Sequence, residues 1–307
     1  MSTPDALSAA DALGEAGDAL EAIGEHVPPT EESARAEALA RLESTAAWAG
    51  GLKEPAAWWA AVRADLGVAG PRRVGHLVLL PGTDTATRPA TGPTSGPALD
   101  PPVRAEVIRL AADIPDDVAA AVSWAVTRAD AVADSGIDLL LLSCAGDVSA
   151  RVLAACLMGQ DVVEALGWPH DLGVEDEAWM AMAVELRDGL RRVRGLRGRP
   201  QALLEALGSP ALAAATAAVV EAAARRTPVL LDGYGALVSA VLAVRAARPV
   251  QGWLIVPLAG DDARSQSALR SLTLTPVVRG LALSADDGSG ALLGLALLET
   301  ACGLLAR

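Results

Sequence analysis

Residues 228–235 read PVLLDGYG, a short apolar run closed by Asp232 and Gly233. A few Val and Leu residues bounded by turn formers have the length and composition of a buried strand. Upstream, residues 210–225 are mostly Ala and Val at helical spacing, and downstream residues 235–247 repeat that pattern. A strand set between two helices is the unit of a parallel sheet, because right-handed crossovers bring each following strand back in the same direction. Asp232 is then expected at the carboxyl mouth of the sheet, where α/β folds bind ligands. The same carboxylate would also serve as the N-cap of the helix that follows.

The alternation extends both ways from this unit. Strands are expected over 74–80, 137–142 and 252–257, and helices over about 115–134, 148–158, 160–166, 175–190, 200–207, 262–272 and 289–305. Ahead of them the chain is helical over 5–25, 31–49 and 55–66; Pro28 and Pro29 separate the first two, and Gly70 and Pro71 follow the third. The expected fold is three-layer α/β with a mainly parallel, Rossmann-like sheet of about five or six strands over 71–307, and a smaller helical segment over 1–70. Between the first strand and its helix, residues 81–102 are rich in Pro, Gly and Thr and form a long loop. A loop of that length is either a ligand-binding element or a surface excursion.

Composition narrows the function. The formal charge of −13 disfavours nucleic acid and anionic membranes as partners. The acidic N-terminus lacks a signal-peptide pattern, and no apolar run approaches the roughly 20 residues of a membrane span, so the chain is expected to stay in the cytoplasm. Cys144, Cys156 and Cys302 lie in apolar surroundings with no CxxC spacing and read as small core residues. His26, His76 and His170 are far apart with no ligand spacing, which points to surface or capping roles and to no metal or other cofactor. Hydrolase motifs of the GxSxG type are absent.

A second informative segment is residues 286–291, DDGSGA, opening the last helix. Free N–H groups at that helix start suit an anion, and a carboxylate beside them can act as a base. An acidic cap on a Gly-Ser-Gly turn explains the same residues structurally.

Taken in order, LLDGYG and DDGSGA resemble the LLDGF and GEGSGA stretches of the nicotinate-nucleotide:dimethylbenzimidazole phosphoribosyltransferases. The segment 198–242, GRPQALLEALGSPALAAATAAVVEAAARRTPVLLDGYGALVSAVL, is similar to the family's chain leading into its LLDGF strand, and 136–159 stands in the place of its GEMGIGNTT region. The resemblance covers most of 115–305. It implies transfer of a phosphoribosyl group from nicotinate mononucleotide to 5,6-dimethylbenzimidazole or a related aromatic base, by a homodimer, with no cofactor. It makes Asp287 the general base, and places Gly146, Asp147, Gly208, Asp232, Asp262, Gly288, Ser289 and Gly290 around the substrates.

Several family motifs differ here. KPPGSLG is absent, ADHGV becomes LPGTD at 80–84, GEMGIGNTT becomes SCAGDVSA at 143–150, and HFSAE becomes LAGDD at 258–262. Met182 stands near the place of a family lysine. These changes keep open a second expectation, a catalytically impaired paralogue that binds or regulates.

Overall fold

The computed structural model describes residues 19–64, 69–79, 102–260, 262–279 and 288–306. The expected helix before Ala19 and nearly all of the loop over 81–102 lie outside the described residues, as does Asp287. Helices α1 (Ala19–Gly24), α2 (Glu32–Thr45) and α3 (Lys53–Val62) precede strand β1 (Arg73–Leu79). There follow β2 (Glu106–Leu110), α4 (Val118–Asp134), β3 (Leu139–Cys144), α5 (Val148–Met158), α6 (Val162–Leu166), α7 (Pro169–Leu172), α8 (Asp176–Arg192), α9 (Pro200–Leu207), α10 (Pro210–Ala224), β4 (Val229–Asp232) and α11 (Tyr234–Ala246). Next come β5 (Leu254–Ile255), β6 (Leu258–Ala259), α12 (Ala263–Leu272), β7 (Val278–Arg279) and α13 (Ser289–Leu305).

Five strands pair in the order β2-β1-β3-β4-β5, each pair parallel, which bears out the expected α/β class. The central strand is buried on both faces, so its Leu139–Leu142 run shows no alternation of polar and apolar residues. On one face α10 and α11 lie against β3 and β4, with α4 along α10; on the other, α13 crosses β3 and β4 and carries α3 on its back. Small side chains make this possible: every residue of α10 from Ala211 to Ala223 is buried. Helices α2 and α3 form a satellite core with α13, in which Leu42, Ala56 and Ala57 meet Ala301, Leu304 and Leu305. Leu20 of α1 belongs to the main core.

Two strands depart from the sequence reading. The apolar pattern does not predict β2, because at the sheet edge its Glu106 and Arg109 stay exposed and interrupt the run. The strand expected over 252–257 shrinks to Leu254–Ile255, because a 3-10 turn over Arg248–Trp253, opened by Pro249, takes its first residues. Leu258–Ala259 then pairs with Val278–Arg279 as a separate small parallel ladder.

Candidate active site

Pairing places Val78 level with Ser143, and Ser143 level with Asp232, so these residues and His76 point to one face of three adjacent strands. The Ser143 hydroxyl donates to Asp232 Oδ2 at 2.9 Å. Above this row sits the turn into α13. A Cβ added to Gly288 would lie 2.5 Å from His76 Nε2, and one added to Gly290 would lie 2.2 Å from Asp232 Oδ1. Only glycine lets the turn sit this low, and Gly288 also adopts φ +84°. Ser289 is buried in the first turn of α13, whose leading N–H groups have no intrahelical acceptor.

The neighbouring turns interlock in the same way. A Cβ on Gly233 would meet the Cys144 carbonyl oxygen at 2.5 Å, and one on Gly146 would meet Tyr234 Cδ1 at 2.7 Å. Asp232 is not the N-cap of α11; that position is Gly233, at φ +87°. The half-buried carboxylate faces the site instead, held by Ser143.

The remaining residues named from the resemblance divide into two groups. Asp147 and Asp262 stand at the carboxyl edge, but both cap helices. Asp147 Oδ1 accepts from the Ala150 N–H at 2.8 Å, and Asp262 Oδ1 accepts from the Ser265 N–H at 3.0 Å. Burial pushes the Asp147 carboxyl up despite its capping bond. Burial also pushes on Asp262, but hydrogen bonds from Ser265 and the charge of Arg264 outweigh it and hold that carboxyl below its ordinary value. Gly208 is the left-handed C-cap of α9 at φ +65°, with nothing within 4 Å of an added Cβ, so its place in the fold is that of a helix stop.

His76 corrects the expectation of a surface or capping histidine. It is 3% exposed, whereas His26 and His170 are exposed. The signal in the sequence is its setting, since Val74, Gly75, Leu77, Val78 and Leu79 surround it with apolar residues. Cys144 and Cys302 are buried and Cys156 half-buried, with no disulfide among them. Among the described residues no group of His, Cys, Asp or Glu is arranged to hold a metal ion, and no helix is long and apolar enough to cross a membrane.

Two arginines that the sequence reading does not single out flank Tyr234. The Arg264 guanidinium carbon lies 5.8 Å from the Tyr234 ring centroid, and its Nε lies 3.5 Å from Asp262 Oδ1. From α5, Arg151 reaches Met182 Sδ on α8 at 3.4 Å. Burial, and next the nearby charge of Arg264, hold the Arg151 pKa below its ordinary value, and burial pushes the Tyr234 phenol up to about 12.

Residues 109–307 match the phosphoribosyltransferase family described as DBI_PRT. The chain belongs to this family. The Streptomyces avermitilis protein named nicotinate-nucleotide–dimethylbenzimidazole phosphoribosyltransferase is 37% identical over 196 residues, covering 62% of this chain and 52% of its own. A protein of the same name from Corynebacterium glutamicum is 35% identical over 181 residues, 58% of this chain and 49% of its own. The chain thus spans about half the length of the curated relatives it matches. The crystal structure of CobT from Thermus thermophilus shares the fold, with a TM-score of 0.69 over 90% of this chain and 96% of that one at 19% identity. In this phosphoribosyltransferase family member, the segments that follow β3, β4 and β6 and the one that opens α13 gather around Tyr234 and Asp232.

Proposed function

We propose that the protein transfers a phosphoribosyl group from nicotinate mononucleotide to 5,6-dimethylbenzimidazole or a related aromatic base. One observation carries this reading: the Gly288–Gly290 turn is seated on His76 and Asp232 at the carboxyl mouth of the sheet, in a chain of the phosphoribosyltransferase family. The acceptor's ring N–H loses its proton to a carboxylate, the ring nitrogen bonds to the ribose anomeric carbon, and the bond from that carbon to the pyridinium nitrogen breaks. The departing electron pair neutralises the pyridinium, so nicotinate leaves without needing a proton. Asp287, directly before Gly288, is the proposed base. It carries the family glutamate's charge on a side chain shorter by one methylene, about 1.5 Å. Asp232, fixed by Ser143, is placed to orient a polar group of either substrate.

The test is direct. Purified protein incubated with nicotinate mononucleotide and dimethylbenzimidazole should form α-ribazole phosphate, read by chromatography. Asp287→Asn should abolish it with little change in melting midpoint, and Asp287→Glu should preserve or raise the rate. Equal rates for wild type and Asp287→Asn would remove this residue from the mechanism. The replaced KPPGSLG and GEMGIGNTT motifs favour a second reading, a binding or regulatory protein without turnover. Calorimetric binding of the same ligands with no product formed would establish it. Family resemblance also supports a cytoplasmic homodimer, which light scattering on the purified protein tests for assembly.

A further inference from the structure

Strand β1 carries a single polar side chain in its apolar run over 74–79, and that side chain lies directly under the turn into α13. A Cβ built on Gly288 would lie 2.5 Å from His76 Nε2, 2.6 Å from His76 Cε1 and 3.0 Å from Val78 Cγ2. Gly288 is therefore lodged between two side chains on one face of β1, with room for a hydrogen alone. The other end of the turn rests on β4, where a Cβ on Gly290 would lie 2.2 Å from Asp232 Oδ1. Because β1 and β4 flank β3, the turn spans the central strand on two supports. The supports are held differently. Asp232 accepts from the Ser143 hydroxyl at 2.9 Å, whereas His76 is held by enclosure: it is 3% exposed, in a strand paired on both sides. Burying an imidazole in an apolar strand carries a desolvation cost that a leucine there would not, so packing alone does not call for it. What the imidazole supplies is a flat, rigid edge for Gly288 to rest on.

We infer that His76 is a positioning residue: its ring edge sets the height at which Gly288 crosses the sheet and, with Asp232, the tilt of the turn. The inference rests on the proposed phosphoribosyl transfer, since the proposed base, Asp287, adjoins Gly288 in the chain. A turn supported at one end only can rock about that end. Without the His76 support the Gly288 end moves more than the Gly290 end, so the base loses its alignment while Asp232 keeps its place. Proton transfer depends steeply on alignment, and a shift of about 1 Å can slow it roughly a hundredfold. Substrate binding is spread over many contacts and depends on the turn far less. The signature is a fall in kcat with KM nearly unchanged.

Three variants of the full chain test this inference. His76→Leu suits the apolar strand, so its melting midpoint should equal or exceed that of the wild type, yet its branched end does not reproduce the ring edge and kcat should fall about tenfold or more. His76→Gln, which keeps a flat polar end, should recover part of that rate. His76→Ala leaves a cavity and should lose both midpoint and kcat; if melting curves show that it does not fold, the leucine variant carries the test. Hydrogen exchange reads the support without turnover. The Leu292 N–H donates to the Gly288 carbonyl at 3.3 Å, and this amide should exchange faster in the leucine variant while the amides of α10 keep their wild-type rates. Wild-type kcat in the leucine variant, or a kcat that merely follows the midpoint across the three variants, would overturn the inference and leave the transferase reading standing. If the wild type forms no α-ribazole phosphate, the transferase reading falls and exchange at Leu292 decides the support by itself: faster exchange in the leucine variant upholds it, and an unchanged rate overturns it.

Discussion

The two ends of α13 are built from opposite materials. At its start, Gly288 and Gly290 let the backbone descend onto His76 and Asp232, so the first turn rests on polar side chains. Farther along, Glu299 is buried at 6% exposure and accepts from the Arg104 N–H at 2.8 Å and the Ala105 N–H at 2.7 Å, while Ala301, Leu304 and Leu305 close the satellite core with α2 and α3. Both ends hold a carboxylate in contact with another element. The Glu299 carboxylate is consumed by backbone donors and serves the fold. Asp232 is held by the Ser143 hydroxyl and stands half-buried at the carboxyl mouth of the sheet. Burial alone therefore does not tell the two carboxylates apart; their partners do.

That contrast can be broken most strongly at Glu299. Glu299→Ala should leave two backbone N–H groups without their acceptor, costing about 3 kcal/mol and lowering the melting midpoint by about 5 °C, with turnover unchanged at temperatures where the chain stays folded. Loss of turnover with an unchanged midpoint would reverse the assignment of the two ends. Gly290→Ala should do the opposite. Its Cβ would collide with Asp232, so the turn must rise, with a roughly hundredfold drop in kcat/KM and a smaller loss of stability.

A buried carboxylate on the opposite side of the sheet sharpens the comparison through pH. Glu221 of α10 is pushed up from 4.5 to about 8, first by burial and then by its hydrogen bond with Asp130. Arg225 approaches Asp130 at 3.3 Å and also pairs with Asp134. The folded chain then keeps a proton that the unfolded chain has released, so stability present below about pH 4.5 is lost as pH rises through about 8. Melting midpoints should fall across that window, and Glu221→Gln should flatten the profile; parallel profiles for the two proteins would refute the shared proton. The smallest effect is expected at Gly208. A Cβ there meets open space but sits on left-handed backbone, so Gly208→Ala should cost about 1 kcal/mol and leave turnover as it is in the wild type. A turnover defect would return Gly208 to the site.

Much of the architecture is legible because helices and strands here differ sharply in pattern. The helices over 148–158, 200–207 and 289–305 and the Leu-rich central strand stand where their apolar spacing and caps put them. What escapes is governed by long-range contact. The edge strand Glu106–Leu110 pairs on one side only and keeps charged residues, so its sequence resembles a loop. Asp232 reads equally well as a helix cap until Ser143, 89 residues away, is seen to hold it. The Gly-Ser-Gly turn reads as an acidic cap or as an anion-facing helix start, and only the fold shows that its glycines rest on His76 and Asp232, the histidine being marked in the sequence only by its apolar strand.

The enclosure of α10 has a consequence for how the protein breathes. A helix buried from Ala211 to Ala223 has no solvent-facing side along which to fray, so its amides can exchange with deuterium only when the neighbouring helices α4 and α11 part from it. Those amides should exchange at the rate of global opening and act as an internal clock for it. Amides in the exposed turns of α8 should exchange many times faster, and the ratio between the two would report how much of the molecule must come apart before its centre is reached.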